Sequence, residues 1–447
     1  MAAITIDDYL AADATALAAM VRLGDVSSSE LAELAAQRHV ETDPRIHAVV
    51  EWYADPDAGR GPVATTDGAL AGVPFLRKDY GSAEAGRLVE MGSRLARDVR
   101  ATHTSPYFSR LRAAGAQVLG RTAVPELIQH GSTESRMFGA TRNPLDPARS
   151  AGGSSGGAAA AVASGIVPAA HASDCAGSIR IPAAACGLFG LKPSRRRVPW
   201  PDGGWGGIAE EFVVCRSLRD VGLFLDVLGD GPYFDPLPPR RPWRIAVNVE
   251  HWGGGVVDAG VVSVVDAAAE RLGAAGHAVV PVAAPVDDAA LFATFPALFA
   301  RWVAADVDRL VAETGRPADA STLEPATLAI VAAARSVTVD DVTSAQIAQG
   351  QLGAQLVAAL DGFDALLSPT IARPTIPLAY LDGESDDLDV YAERNGEYFP
   401  YSYAFNVAGW PALAVPVPGP RDDQPGSVQL AAPWGSERRL MAIAESL

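Results

Sequence analysis

The chain reads as an α/β protein: a large mixed β-sheet core covered by helices, with a helical cap region at about 287–361. Three observations predict this. Residues 243–282 carry a βαβ unit, made of the strand WRIAVNV (243–249), the helix AGVVSVVDAAAERLG ending at Gly273, and the strand HAVVPV (277–282). YFSRLRAAGAQVLGR (107–121) makes another helix-to-strand step, its helix closed by Gly115 before the strand AQVLG. Residues 287–361 keep a helical period almost throughout.

The remaining elements follow in order. The first fifty residues read as helices, with Ser27-Ser28-Ser29-Glu30 forming a capping-box pattern before LAELAAQRHV. GALAGVPFLRKD (68–79) is a turn followed by a short strand. Residues 139–157, with two prolines and five glycines, are a loop. AAAAVASG is a buried helix of small residues ended at Gly165; IVPAAHAS is a strand, and a second loop, DCAGSIRIP, begins at Asp174. ALLSPTI, PALAVPV and SVQLAAP supply further core strands near the end. No repeat, low-complexity linker or charge block divides the chain, so one domain over 1–447 is expected.

Composition narrows the function. Hydrophobic residues make up 49% and charged residues 20% of 447, a globular balance that excludes a disordered or fibrous protein. A net charge of −17 argues against nucleic-acid and anionic-membrane partners, which need basic surface. Three cysteines (Cys175, Cys186, Cys215) leave an odd count with no metal-ligand spacing, as in a reduced intracellular protein. MAAITIDDYL lacks the basic head and apolar run of a signal peptide, and Ser150–Ser173 is too weakly hydrophobic to span a membrane. A cytoplasmic protein is expected.

Only two of the 36 basic residues are lysines, Lys78 and Lys192. Arginine thus serves wherever a generic cation is enough. The two lysines become candidates for work arginine cannot do, because lysine can lose its proton when buried and arginine does not.

Two glycine-framed serines stand out: Ser154 in Gly152-Gly153-Ser154-Ser155-Gly156-Gly157, and Ser178 in Asp174-Cys175-Ala176-Gly177-Ser178-Ile179-Arg180. Such loops are either tight turns or places where backbone N–H groups approach a ligand. A phosphate loop would need a lysine directly after the glycines, and neither has one. Gly152–Gly156 formally fits the G-x-S-x-G nucleophile elbow, but NPLDPARSAG before it cannot be a central strand, and no histidine follows His277. A serine activated by a neutral, buried lysine uses what the chain has. Lysine's pKa of about 10.4 must then fall to roughly 7–8. Lys78, at the end of the apolar run Gly72-Val73-Pro74-Phe75-Leu76, is placed to enter such a site.

These residues carry a family resemblance. GVPFLRKD (72–79), RLRAAGAQVLGRTAVPE (110–126), ESRMFGATRNPLDPARSAGGSSGGAAAAVASGIVP (134–168), SDCAGSIRIPAAACGLFGLKPS (173–194) and FNVAGWPALAVP (405–416) resemble, in order and spacing, the amidase signature enzymes. The resemblance implies the amidase signature fold and acyl transfer without metal or cofactor. Lys78 would be the general base, Ser154 the bridging serine, preceded by a cis peptide bond after Gly153, and Ser178 the nucleophile. The N–H groups of Cys175, Ala176, Gly177 and Ser178 would form the oxyanion hole. An acyl-enzyme on Ser178 would be hydrolysed by water activated through the same relay. Many members are dimers, so a homodimer is compatible with the resemblance; the partner of the site itself is a small-molecule amide. SDCAGSIRIPA and CGLFGLKPSRRRVP are similar to the branch containing aminohexanoate cyclic-dimer hydrolases.

This chain departs from the family at two places. Cys175 and Ala176 stand where Asp-Thr-Gly-Gly-Ser or Asp-Gly-Gly-Gly-Ser is usual; alanine keeps its N–H but disfavours positive φ. Cys175 has no histidine or cationic motif to make it a nucleophile. Lys192 reads as a structural hydrogen-bonded or paired lysine and His171 as a satisfied strand histidine. Asp174 and Arg180 either brace the loop or, through Arg180, meet a substrate carboxylate. Phe295, Phe299, Trp302, Tyr398, Tyr401 and Tyr403 are core or acyl-pocket aromatics. The alternatives to an amidase are the amidase subunit of a glutamine-dependent tRNA amidotransferase, an esterase using the same site, and a non-catalytic ligand-binding relative.

Overall fold

The computed structural model describes residues 4–55, 67–200, 204–229, 242–286, 291, 294–421 and 424–447. Its spine is an eleven-stranded mixed sheet. The strands, in chain order, are β1 (Val49–Trp52), β2 (Pro74–Lys78), β3 (Gln117–Thr122), β6 (Ala169–Asp174), β7 (Phe189–Lys192), β8 (Glu210–Cys215), β9 (Arg244–Val247), β10 (Ala278–Pro281), β11 (Ala365–Pro369), β12 (Ala412–Arg421) and β13 (Gln424–Ala431). A separate two-stranded piece pairs β4 (Glu134–Ser135) with β5 (Gly139–Ala140). Across the large sheet the order is β1-β3-β2-β6-β8-β7-β12-β13-β11-β9-β10.

The expected elements are present with small shifts. Ser27 and Glu30 close a capping box on the helix Ser28–Ile46. In the βαβ unit, β9 and β10 pair in parallel and are joined by the helix Ala259–Ala274. The cap region holds the helices Pro296–Thr314, Pro325–Ala334 and Val339–Ala359; residues 287–290 and 292–293 of that expected segment lie outside the described residues. Asp174 ends β6 rather than opening the loop, because its backbone still pairs with Glu210 of β8.

Two features position the site. β2 and β6 are parallel neighbours in register Phe75↔Ala169 and Leu76↔Ala170, so Lys78 and Asp174 finish at the same edge of the sheet. Side chains and loops at the carboxyl ends of parallel strands are where open α/β sheets bind ligands. The helix Gly156–Ala163 packs against this part of the sheet, and every residue from Gly156 to Val162 is buried. Only glycine, alanine and valine fill those positions, which lets the helix, and the serines just before it, approach β2 and β6 closely.

Candidate active site

Lys78 is fully buried as the last residue of β2. Its Nζ lies 2.9 Å from Ser154 Oγ, 2.8 Å from Ser155 Oγ, 3.0 Å from Ser173 Oγ and 3.3 Å from the Ser173 carbonyl. Burial pulls its pKa from 10.5 down to about 7, against the opposing pull of Asp174 and Glu211. A fall of that size corresponds to about 5 kcal/mol of preference for the neutral amine. A neutral amine has two N–H donors and one lone pair. The Ser173 carbonyl can only accept, so it takes a donor, and the lone pair remains for a serine hydroxyl proton.

The Gly153–Ser154 peptide is cis. Gly153 is required by packing: a Cβ there would sit 2.1 Å from the Ser132 carbonyl oxygen and 2.7 Å from that of His130. Ser155 Oγ, besides meeting Lys78, contacts the Ser173 backbone at 3.3 Å to O and 3.4 Å to N. Ser155 and Ser173 are therefore partners of the amine that sequence reasoning missed. Nothing in GGSSGG distinguishes the two adjacent serines, and Ser173 stands out by no motif.

The second loop is braced by Asp174 and Arg180. Arg180 donates Nε to Asp174 Oδ2 at 2.9 Å and Nη2 to Oδ1 at 2.8 Å, with both side chains fully buried. Its other N–H groups go to Asn406 Oδ1, the Ser402 carbonyl and Gln429 Oε1. All five donors are used. Of the two roles expected of Arg180, this geometry fits the brace; Arg180 does not line the cavity described below. Burial would raise the Asp174 carboxyl, but Arg180 outweighs it and holds the group at about 2. Asn406, in the FNVAGWP stretch, donates to the Asp174 carbonyl at 2.9 Å, so that distant motif holds the loop from behind.

Of the four expected oxyanion donors, Gly177 N–H is already given to Asp174 Oδ1 at 2.7 Å. The N–H groups of Cys175, Ala176 and Ser178 meet no acceptor among the described residues. The positive φ of this turn falls on Gly177 (126°) and not on Ala176, so alanine fits at 176. Ser178 is half-buried, and among the described residues its hydroxyl has no hydrogen-bond partner. It opens, with Ser154 and Ser173, onto a cavity of about 240 Å³. Lys78 lies behind these serines and does not reach the wall.

The other candidates fall into place around this site. Cys175 lines the cavity, but burial and then Asp174 push its thiol well above its usual pKa, away from thiolate reactivity. Lys192 is buried and donates to the Pro193 carbonyl at 2.7 Å; burial lowers it to about 8. His171 accepts from the Lys78 backbone N–H at 3.3 Å and faces Glu211 Oε1 at 3.4 Å. Of the six aromatics singled out, Phe295, Phe299 and Tyr403 line the cavity; Trp302, Tyr398 and Tyr401 do not. Tyr80, Trp200, Trp205, Tyr391 and Phe399 join the wall from segments that only the fold brings near. Among the described residues no Asp, Glu, Lys or Arg lines it.

The fold is that of the amidase signature enzymes. The Amidase family model matches residues 35–441, and the chain belongs to that family of hydrolases acting on carbon–nitrogen bonds. Within it, the chain is 32% identical to a 6-aminohexanoate-cyclic-dimer hydrolase of Paenarthrobacter ureafaciens over 472 residues, covering 97% of this chain and 94% of the relative. It is also 32% identical to an acylamidase of Rhodococcus erythropolis over 449 residues, covering 94% and 91%. The solved structure of a 6-aminohexanoate cyclic dimer hydrolase matches with a TM-score of 0.89 at 29% identity, covering 98% of this chain and 96% of that one. Among the described residues no helix is long and apolar enough to cross a membrane.

Proposed function

We propose that the chain hydrolyses a non-peptide carboxamide, linear or cyclic, to a carboxylic acid and ammonia or an amine through an acyl-enzyme on Ser178. The observation that carries the reading is the contact of 2.9 Å between the fully buried Lys78 amine and Ser154 Oγ. Lys78, in the neutral form it holds above its lowered pKa of about 7, takes the proton of Ser154 as Ser154 takes that of Ser178, and the Ser178 oxygen attacks the amide carbon. The free N–H groups of Cys175, Ala176 and Ser178 receive the developing oxyanion. Collapse of the tetrahedral intermediate breaks the C–N bond, and the proton held by Lys78 returns through Ser154 to the leaving nitrogen. Water then enters, gives a proton to the same relay and attacks the acyl carbon; the bond to Ser178 Oγ breaks, the proton returns to that oxygen and the acid leaves.

The relay requires Ser178 Oγ to come within hydrogen-bond reach of Ser154 Oγ when substrate is bound. One domain over 1–447 belongs to the same reading, supported by a single sheet whose strands come from residues 49 to 431. The test is a panel of aliphatic, aryl and cyclic amides with matched esters, scored for released ammonia, amine or alcohol in wild type and Ser178→Ala. Amide hydrolysis that disappears in Ser178→Ala is expected. Hydrolysis of esters alone would select the esterase, and amide hydrolysis persisting in Ser178→Ala would refute the nucleophile.

A further inference from the structure

Resting on the proposed acyl transfer at Ser178, we infer that the part of the substrate seated in the cavity is electrically neutral and carries a bulky apolar group, aryl or long alkyl. The cavity onto which Ser178 opens is walled by aromatic rings in mutual contact. Phe295 stacks on Phe299 with centroids 5.0 Å apart, Trp205 meets Phe299 edge-on at 5.5 Å, and Tyr403 meets Phe295 at 4.8 Å. Leu291 and Ile330 fill the wall around them. Flat or flexible apolar groups gain burial and ring contacts there.

Among the described residues no charged side chain of this wall could compensate a charged substrate. The described wall holds no Asp, Glu, Lys or Arg. Its one imidazole, His130, is 2% exposed and has no hydrogen-bond partner on either ring nitrogen among the described residues; burial holds it neutral, at about 4. Two acidic groups beyond the wall are already engaged. Asp174 is paired with Arg180, and Glu126 accepts from Ser93, Thr327 and the Glu324 backbone. A carboxylate or ammonium entering the cavity would lose its hydration and find no counter-ion among the described residues of the wall, a penalty that neutral groups do not carry. Glutamine, with both charges next to one carbon, falls on the rejected side.

The experiment compares hexanoyl anilide with two anilides of the same length, one ending in a carboxylate and one in an ammonium, together with free glutamine. The expected kcat/KM for the neutral anilide exceeds that of each charged one by about a hundredfold or more, with no glutaminase activity. Equal kcat/KM within about threefold for either charged anilide, or efficient glutamine hydrolysis, would overturn the inference. Calorimetric binding of the three anilides to Ser178→Ala reads the same preference without turnover. Selective binding of the neutral anilide with no hydrolysis by wild type would uphold the inference while refuting the acyl-transfer reading; unselective binding would overturn the inference itself.

Discussion

The Lys78 amine and the Ser154 hydroxyl meet at 2.9 Å in a place closed to solvent, with Ser155 and Ser173 completing the shell around the nitrogen. That enclosure fits a lysine at this position in a chain whose other basic residues, Lys192 apart, are arginines. A guanidinium stays charged at any working pH, and its planar fork has no lone pair to offer a hydroxyl.

Lys78→Ala and Lys78→Arg should each lower kcat/KM by about 10³-fold or more, because either removes the base while the oxyanion donors remain. Steady-state kinetics with circular dichroism checks this. A folded Lys78→Arg enzyme with substantial activity would contradict the role of a neutral amine.

Activity should depend on pH through the same group. Burial lowers Lys78 to about 7, so the amine is charged below that pH and neutral above it. The proposed base is the neutral form. kcat/KM should therefore fall about tenfold per pH unit below 7 and level off above it. A flat profile down to pH 5 would count against lysine as the base.

Gly177→Ala should disable the nucleophile loop. At φ 126° an added Cβ would lie 2.8 Å from both Ile181 Cδ1 and Ser402 Cβ, in a backbone region that alanine rarely adopts. Shifting the neighbouring N–H donors should lower kcat by about 10²-fold or more. The kinetics of Gly177→Ala, with a thermal melt to verify folding, decide it.

Asp174→Asn should be a stability lesion first. It breaks a buried pair and leaves Arg180 uncompensated, at a cost of about 3–5 kcal/mol. The Asp174 carboxyl is depressed to about 2 from 3.8. Its stabilisation is therefore complete above about pH 4 and is lost as pH falls toward 2. Denaturant unfolding at several pH values should show both the loss and, in Asp174→Asn, a weaker acid dependence.

Much of the fold was legible because its signals are local. The Ser27/Glu30 capping box and the βαβ unit at 243–282 declare themselves through neighbouring residues and period. β7 and β8 were not legible. FGLK is only four residues long, and EEFVVC opens with two glutamates that would normally mark a surface yet are buried here. In the site, glycine framing and lysine scarcity pointed to Lys78, Ser154 and Ser178. The engagement of every Arg180 donor, the use of Gly177 N–H by Asp174, and the wall residues Tyr80, Trp200, Trp205 and Tyr391 arise only when strands far apart in sequence share one sheet edge.

The account rests on an uncharged Lys78 arming Ser178, and labelling by a fluorophosphonate followed by peptide mass spectrometry tests it most directly. The account predicts a single adduct on Ser178, forming faster as pH rises through about 7 and lost in Lys78→Ala. An adduct on another residue, or labelling of Ser178 at an undiminished rate without Lys78, would contradict it.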